Sequence, residues 1–306
     1  MPDTFDSAAS DIPKGGWVDR LVPRRVRPYA RLARLDRPIG TWLLLFPCWW
    51  SIALASIEPG VIVLFALFGL GALVMRGAGC TYNDIVDRDF DKAVARTRDR
   101  PLPSGQLTVR QAVVFMVALL AIGLAILLSF NAFAVWVGLA SLILVFSYPL
   151  MKRFTYWPQF FLGLTFNWGA FLGWAAVTGE LSVAAALLYV GGILWTLGYD
   201  TIYAHQDKVD DALVGVRSSA RALGEGTRPW LYAFYAGAIV LLVAAGIAAG
   251  LGWVFAAGAA VGALHLAWQA RAVDLDDPKD CLVKFKANRD FGFIVLAAIV
   301  LGQLAR

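Results

Sequence analysis

The sequence predicts an all-α membrane protein, a polytopic bundle of about nine transmembrane helices. Of its 306 residues 59% are hydrophobic and 16% are charged, whereas a soluble domain carries about 25% charged residues. Apolar stretches of about 20 residues, the length that crosses a bilayer, recur along the chain. Most basic residues lie in the short segments between these stretches, as is typical of membrane topology. The composition therefore excludes an ordinary soluble domain.

Nine segments satisfy the length and hydropathy of a membrane span. Residues 129–131 and 249–252 leave almost no loop, so the spans on either side of each must form antiparallel hairpins. Residues 1–39 are basic and lack the apolar core of a signal peptide, so the first span is expected to direct insertion. We expect a basic N-terminal segment, residues 1–39, and a transmembrane domain, residues 40–306. The predicted spans lie near residues 40–57, 60–82, 110–129, 131–150, 158–178, 182–204, 229–248, 251–270 and 289–305.

The basic residues also predict the orientation of the chain. If the N-terminus is cytoplasmic, the basic connections all face the cytoplasm, and of the 27 Lys and Arg residues only Arg306 falls on the far side. We therefore expect a multi-pass protein of a bacterial inner (cytoplasmic) membrane. The net charge of +5 does not indicate a nucleic-acid partner, because the positive charges follow lipid topology. The sequence makes no prediction of oligomeric state.

A first acidic segment follows the second span directly. On a helix, Asp84, Asp87 and Asp91 are spaced i, i+3 and i+7 and share one face. Carboxylates crowded at a membrane edge repel one another unless a divalent cation neutralises them. Asn83 adds a neutral oxygen, and the set suits Mg²⁺, which binds a few carboxylates and keeps other positions for water and phosphate. An isolated pair of such aspartates would instead favour a solvated loop.

Fixed cations next to the acidic face extend this interpretation. Residues 96–105, R-T-R-D-R-P-L-P-S-G, are rich in arginine, and guanidinium groups pair with phosphate oxygens through two parallel N–H donors. Lys152 and Arg153 of the fourth connection are ordinary membrane anchors that can also contact phosphate. Arg88 and Arg100 complete the predicted diphosphate ligands. A metal-binding acidic face beside these cations predicts a site for a Mg²⁺-bound diphosphate.

A second acidic segment ends the sixth span. On a helix, Asp200, Asp207 and Asp211 again share one face, within roughly 40°. Both acidic segments follow an even-numbered span, so we expect them to face one another and to hold two Mg²⁺ ions around one diphosphate. The predicted metal ligands are Asn83, Asp84, Asp87, Asp91, Asp207 and Asp211.

Together these motifs resemble the UbiA superfamily of intramembrane prenyltransferases. The superfamily's first signature, N-D-x-x-D-x-x-x-D followed by R-T-x-x-R-P-L-x-S-G, matches residues 83–91 and 96–105 without gaps in either part. Its second signature, D-x-x-x-D, matches Asp207 and Asp211. The resemblance covers the chain from about residue 34 to its end.

Three further stretches resemble the branch of this superfamily that uses 4-hydroxybenzoate. They are residues 34–40, R-L-D-R-P-I-G, residues 148–155, Y-P-L-M-K-R-F-T, and residues 199–204, Y-D-T-I-Y-A. The resemblance implies nine helices around a central cavity that the two acidic motifs cap. It also implies transfer of a polyprenyl group from its diphosphate to the ring carbon ortho to the hydroxyl of 4-hydroxybenzoate, in ubiquinone synthesis.

The resemblance further implies roles for individual residues. The superfamily places a carboxylate near the acceptor, so Asp87 and Asp207 are candidates for orienting or deprotonating the phenol, and a metal ligand is not distinguished from a base. Arg88 is expected to assist departure of the diphosphate. The expected aromatic-acid site consists of Arg34, Arg37, Tyr148 and Asp200.

Other functions remain open at this stage. Within the superfamily, a protohaem farnesyltransferase or a menaquinone-branch enzyme is the alternative. From another class, a transporter or cation channel also carries membrane-edge acids, but it usually places charges at mid-membrane on broken helices. A phosphotransferase acting on nucleotide-linked alcohols also uses clustered aspartates, but its D-G-x-x-A-R signature is absent. Prenyl chain length is not predicted.

Overall fold

The predicted all-α class is confirmed. The computed structural model describes residues 10–13, 15–94, 96–208 and 215–306, apart from the side chain of Lys152, and the regular structure of these residues is helical. Short 3₁₀ turns lie at Pro59–Val61, His205–Asp207 and Gly224–Gly226. The helices are α1 (Trp17–Leu21), α2 (Arg27–Leu32), α3 (Ile39–Ala55), α4 (Ile62–Ala93), α5 (Val109–Leu127), α6 (Ala132–Phe154), α7 (Pro158–Asn167), α8 (Gly169–Thr178), α9 (Val183–Ala204), α10 (Ser219–Leu223), α11 (Thr227–Ala248), α12 (Trp253–Ala272), α13 (Pro278–Lys286) and α14 (Asn288–Leu304).

The predicted membrane spans have helical counterparts. Among the described residues, 8 helical segments are long and apolar enough to cross a membrane. The first predicted span corresponds to α3, an apolar helix of 17 residues that contains Pro47. The fifth span is two helices, α7 and α8, with Trp168 between them. A multi-pass membrane bundle is therefore the architecture of the described chain.

Contacts along the chain divide it into two compact units. The first unit contains the described residues within 1–40 and 73–125, and the second contains those within 41–72 and 126–306. Because the division passes through α3, α4 and α5, the basic N-terminal segment belongs to the same unit as the acidic end of α4. The predicted domain boundary after residue 39 stays a prediction.

In the first unit, α2 packs on the connection that precedes α5. Leu32, Leu102 and Leu107 are buried together with Ala112, and the ring of Tyr29 packs in the same cluster. Burying one leucine side chain stabilises a fold by roughly 1.5–3 kcal/mol, so this cluster holds the N-terminal segment in place. The consequence for function is that the chain leaving α2 lies beside the acidic end of α4.

In the second unit, a buried polar network joins four helices. Trp195 of α9 donates a hydrogen bond to Asn288 of α14 at 2.8 Å, and Asn288 donates to Gln269 of α12 at 3.1 Å. The Tyr235 hydroxyl of α11 also donates to Gln269, at 3.1 Å. Gly198 permits the close approach of α9 to α11, since a Cβ there would lie 2.2 Å from Cε1 of Tyr235. These bonds fix α9, whose end carries the second acidic segment.

Candidate active site

The first acidic segment lies on the last turns of α4 and not in a loop. Asp84 and Asp87 are fully buried, and Asp91 is 9% exposed. Asn83, one residue before Asp84, is half-buried. Continuous helix through Ala93 gives the aspartates the i, i+3 and i+7 spacing predicted for one face.

Two arginines meet at Asp84. Arg34 Nη2 donates to Asp84 Oδ1 at 2.5 Å. Arg100 Nη1 lies 3.5 Å from the same oxygen and donates to Asp91 Oδ2 at 2.9 Å. The second oxygen of Asp84, Oδ2, is buried and has no hydrogen-bond partner among the described residues. One oxygen of this carboxylate is thus held by cations, while the other is placed to accept a further ligand.

Arg34 reaches Asp84 from a backbone conformation that favours glycine. Its φ is +58°, and among the described residues no other non-glycine residue has a positive φ. It lies just after α2, where the Leu35 N–H donates to the Ala30 carbonyl and the Arg34 N–H donates to the Arg31 carbonyl, each at 3.0 Å. This pairing is the Schellman helix end, in which glycine normally occupies the left-handed position. A strained arginine at this position indicates that its side chain has a function.

Replacing Arg34 separates its backbone role from its side-chain role. Arg34→Gly relieves the strain while Arg34→Ala retains it, so the glycine variant is expected to be more stable, by about 1 kcal/mol. Both variants lose the ion pair with Asp84, so both should lose prenyl-transfer activity equally, by roughly tenfold or more. Thermal unfolding in detergent and turnover per folded protein measure the two effects. If Arg34→Gly is more active than Arg34→Ala in proportion to its greater stability, a role for the arginine side chain is contradicted.

Asp11 lies among these arginines, and the sequence patterns did not identify it as a site residue. Its Oδ2 accepts hydrogen bonds from Arg100 Nε at 3.1 Å and Nη2 at 2.8 Å. Its Oδ1 lies 3.2 Å from Arg37 Nη1, and Arg96 Nη1 is 3.6 Å from Oδ2. Burial raises the pKa of Asp11, but the attraction of Arg100, Arg37 and Arg96 outweighs it and lowers the pKa to about 2. Asp11 is therefore negatively charged at neutral pH inside the arginine cluster.

Arg37 has carboxylate neighbours of its own. Besides Asp11, it lies 3.8 Å from Asp36 Oδ2, and its Nη1 donates to the backbone carbonyl of Asp11. Burial and the positive charge of Arg34 lower the pKa of Arg37, while burial raises the pKa of Asp36. Arg34 and Arg37 must share donors with these partners in order to bind an aromatic carboxylate. Their assignment to the acceptor site stays a prediction.

Two further predicted diphosphate ligands, Arg88 and Arg153, lie in more exposed positions than Arg100, and two predicted ligands, Lys152 for diphosphate and Asp211 for metal, are not described. The Arg88 side chain is 47% exposed and pairs with Asp89 at 3.2 Å. Arg153, in the last turn of α6, is exposed. The side chain of Lys152 and the whole of Asp211 lie outside the described residues. The roles of these four predicted ligands stay predictions.

The second acidic segment spans a change of helix type. Asp200 lies on α9 and is half-buried, but α9 ends at Ala204, and Asp207 is half-buried in the 3₁₀ turn that follows. A 3₁₀ turn advances about 120° per residue instead of 100°. The α-helix is therefore not continuous from Asp200 to Asp207, but the turn changes the angle between the two residues by only about 60°, and their shared face stays a prediction.

Hydrogen bonds connect Arg217 and Ser219, which follow the second acidic segment in the chain, to the end of α6 and the start of α7. Arg217 Nη1 donates to the Phe154 carbonyl at 2.6 Å, and its guanidinium lies 5.3 Å from the centroid of the Tyr156 ring. The Ser219 N–H donates to Gln159 at 3.0 Å. The stretch with Arg153 and the residues that follow the second acidic motif are thus adjacent within one unit. Tyr148, also on α6, is half-buried.

The described acids suit Mg²⁺ only with help from a substrate. Within the described ranges, no three His, Cys, Asp or Glu side chains are grouped closely enough to hold a metal ion by themselves. Mg²⁺, however, prefers hard oxygen ligands and is usually held by one or two carboxylates together with substrate phosphates. The buried Oδ2 of Asp84, without a hydrogen-bond partner in the described chain, is such a donor. The residues therefore fit a metal that arrives with, or is completed by, a diphosphate.

Comparison with known families decides the wider assignment. The pattern of the UbiA prenyltransferase family matches residues 44–296. This chain belongs to the UbiA prenyltransferase family. The resemblance that the motifs indicated is thereby confirmed.

Relatives in this family are similar over most of their length. The chain is 51% identical over 309 aligned positions to the mitochondrial 4-hydroxybenzoate polyprenyltransferase of Arabidopsis thaliana, covering 99% of this chain and 76% of the relative. It is 50% identical over 288 positions to the enzyme of the same name from Homo sapiens, covering 92% and 77%.

Solved UbiA structures share the fold. The apo structure of a UbiA homologue from Aeropyrum pernix K1 gives a TM-score of 0.73 at 28% identity and covers 86% of this chain and 98% of that one. A UbiA homologue from Archaeoglobus fulgidus, bound to GPP and Mg²⁺, gives a TM-score of 0.66 at 20% identity, covering 88% and 99%. The second likeness shows the fold alone.

The comparisons correct the predicted location. A bacterial inner membrane is the wrong prediction, because the similar plant and animal enzymes are named as mitochondrial. The error has a physical cause: alternating basic connections report how a chain threads a bilayer, and they do not distinguish one bilayer from another. The multi-pass membrane character is unaffected.

Proposed function

We propose that this UbiA-family chain transfers a polyprenyl group from polyprenyl diphosphate to the ring carbon ortho to the hydroxyl of 4-hydroxybenzoate, a step of ubiquinone biosynthesis. Relatives that carry this activity in their names are 50–52% identical over at least 90% of the chain. The structural observation that carries the proposal is the buried, arginine-paired acidic face at the end of α4.

The reaction separates a charged leaving group from an allylic carbon. The C–O bond to diphosphate breaks, a C–C bond to the aromatic ring forms, and the ring then loses a proton. Bound Mg²⁺ supplies neutralisation of the charge that develops on the diphosphate. The proposed ligands of Mg²⁺ are Asn83, Asp84, Asp87, Asp91, Asp207 and Asp211.

The protein's own groups supply orientation and electrostatics. The Arg34 guanidinium holds one oxygen of Asp84, so the other oxygen keeps its direction without reorganising during the reaction. Asp87 or Asp207 is the proposed carboxylate that orients or deprotonates the phenol. The proposed diphosphate ligands are Arg88, Arg100, Lys152 and Arg153.

The acceptor is bound by its carboxylate and its ring. The proposed contacts are Arg34, Arg37, Tyr148 and Asp200. Because an arginine charge is permanent, Arg37 provides a fixed counter-charge for an aromatic acid at any physiological pH. The Arg37 side chain is 18% exposed, so it is accessible to a small acid while most of its length is buried.

A substrate panel tests this proposal. Purified full-length protein is assayed with polyprenyl diphosphates of several lengths and with 4-hydroxybenzoate, a dihydroxynaphthoic acid or protohaem, in Mg²⁺ or in excess chelator. We expect 3-polyprenyl-4-hydroxybenzoate, in Mg²⁺ only, with a kcat/KM at least about 100-fold above that of the other acceptors. Faster turnover of the naphthoate or of haem would assign the chain to another branch of the family.

A further inference from the structure

We propose that Asp11 is a positioning residue: by engaging two of the three guanidinium nitrogens of Arg100, it weakens the hold of Arg100 on Asp84 and Asp91 and so favours binding of Mg²⁺ by these carboxylates. The inference rests on the proposed function, since it concerns the same metal-dependent site. It assigns a role in the reaction to a residue that precedes the part of the chain, from about residue 34 onwards, in which the family's motifs lie.

The guanidinium of Arg100 is divided between two sets of acids. Its Nε and Nη2 both donate to Asp11 Oδ2, at 3.1 and 2.8 Å. Its Nη1 faces the acidic helix, 2.9 Å from Asp91 Oδ2 and 3.5 Å from Asp84 Oδ1. Two of the three guanidinium nitrogens are thus taken up by Asp11, and one nitrogen bridges the predicted metal ligands.

Arginine and Mg²⁺ compete for the same oxygens. A carboxylate oxygen that accepts a hydrogen bond from a guanidinium has less negative charge to offer a metal, and arginine cannot relieve the competition by losing its proton. The competition is strong here because the side chains of Arg100 and Asp11 are only 10% and 11% exposed, so solvent screens their charges weakly. A carboxylate on the far edge of Arg100 therefore weakens its hold on Asp84 and Asp91.

The backbone holds Asp11 at this position. Its N–H donates to the carbonyl of Arg96 at 3.0 Å, and its own carbonyl accepts from Arg37. The next residue, Ile12, is 8% exposed. The backbone of Asp11 is therefore held by two hydrogen bonds and by an adjacent buried side chain, none of which involves Arg100.

The matched variants are Asp11→Asn, Asp11→Glu and Asp19→Asn. Asp19 lies in the same N-terminal segment and also pairs with an arginine, Arg31 at 2.6 Å, but no hydrogen bond or ion pair described for it reaches Asp84 or Asp91. Free Mn²⁺ is measured by electron paramagnetic resonance during titration of the purified full-length protein together with an unreactive prenyl S-thiolodiphosphate, and a titration of the analogue without protein is subtracted. Activity is measured against Mg²⁺, prenyl diphosphate and 4-hydroxybenzoate.

We expect Asp11→Asn to weaken Mn²⁺ binding by roughly tenfold. This factor corresponds to one charged hydrogen bond that Arg100 would make with Asp84 or Asp91 instead of with Asp11. The Mg²⁺ concentration for half-maximal activity should rise in parallel, with little change in the KM for 4-hydroxybenzoate. Asp11→Glu should restore part of the effect, because it keeps the charge, and Asp19→Asn should match the parent.

Two results would overturn the proposal. Unchanged Mn²⁺ binding together with an unchanged KM for prenyl diphosphate in Asp11→Asn would show that the contact with Arg100 only packs the N-terminal segment. A lower KM for prenyl diphosphate with unchanged Mn²⁺ binding would make Asp11 a competing anion and not a positioning residue. The proposed acceptor is tested separately. If Asp11→Asn weakens Mn²⁺ binding but the parent protein does not prenylate 4-hydroxybenzoate, the assigned reaction is refuted and the role of Asp11 is not.

Discussion

Asp84→Asn is expected to lower prenyl transfer by about two to three orders of magnitude, because it removes the buried carboxylate proposed to ligate Mg²⁺. Asparagine keeps the side chain's shape and one oxygen but loses the charge that Arg34 and the metal share. The measurement is single-turnover rate per folded protein at saturating Mg²⁺. Asp89→Asn is the matched control on the same helix, because Asp89 is exposed and pairs only with Arg88 in the contacts described.

The loss of activity must be separated from loss of folding. Asp84→Asn leaves the two arginines at this position undercompensated, so some stability is also lost. Turnover is therefore normalised to the fraction that elutes as folded protein and unfolds cooperatively in detergent. Near-parent turnover in the folded fraction of Asp84→Asn would show that this carboxylate serves the fold and not the reaction.

Arg100→Ala is expected to give the largest loss of stability at the site. It removes the cation shared by Asp11, Asp84 and Asp91, and breaking a buried ion pair from one side costs about 3–5 kcal/mol. Arg100→Lys should recover part of the lost stability, since lysine keeps the positive charge but lacks the planar guanidinium group. Thermal unfolding in detergent measures the effect, and Arg88→Ala, at an exposed helix position, should change stability by less than about 0.5 kcal/mol.

The pH dependence of stability provides a second signature of this cluster. The pKa of Asp11 is lowered to about 2 from its ordinary value of 3.8. A group whose pKa is lowered by folding stabilises the folded state fully at pH values above its unfolded-state pKa. It loses this stabilisation as the pH falls through its folded-state pKa. Stability from Asp11 should thus be complete above about pH 4 and decline towards pH 2, and Arg100→Ala should move the decline to higher pH. Identical acid unfolding of Arg100→Ala and Arg88→Ala would contradict the network.

Local sequence signals predicted the helical architecture and part of the site. Apolar length located the membrane spans, and spacing placed Asp84, Asp87 and Asp91 on one face of α4. These properties depend on residues close in the chain. The break at Trp168 was not predicted, because two apolar helices of 10 residues each have the composition of one span.

The ion pairs could not be predicted in the same way. Arg34 is 50 residues from Asp84, and Asp11 is 89 residues from Arg100. Sequence patterns report charge and period, but they do not identify which distant cation meets which carboxylate. The assignments of Arg34 to an aromatic acid and of Arg100 to a diphosphate stay predictions, but the contacts of both with Asp84 were not predicted. The same limit applies to Asp207, whose register depends on the 3₁₀ turn after α9.

Equilibrium binding of an unreactive prenyl S-thiolodiphosphate tests the central claim most directly, because it requires neither an acceptor nor turnover. Calorimetric titration of the parent and of Asp84→Asn is carried out with Mg²⁺ and with excess chelator. The claim that the acidic face of α4 binds a Mg²⁺-diphosphate predicts that Mg²⁺ tightens binding to the parent by at least about tenfold and has little effect on Asp84→Asn. Equally tight binding to the parent in chelator, or full Mg²⁺ dependence retained by Asp84→Asn, would contradict it.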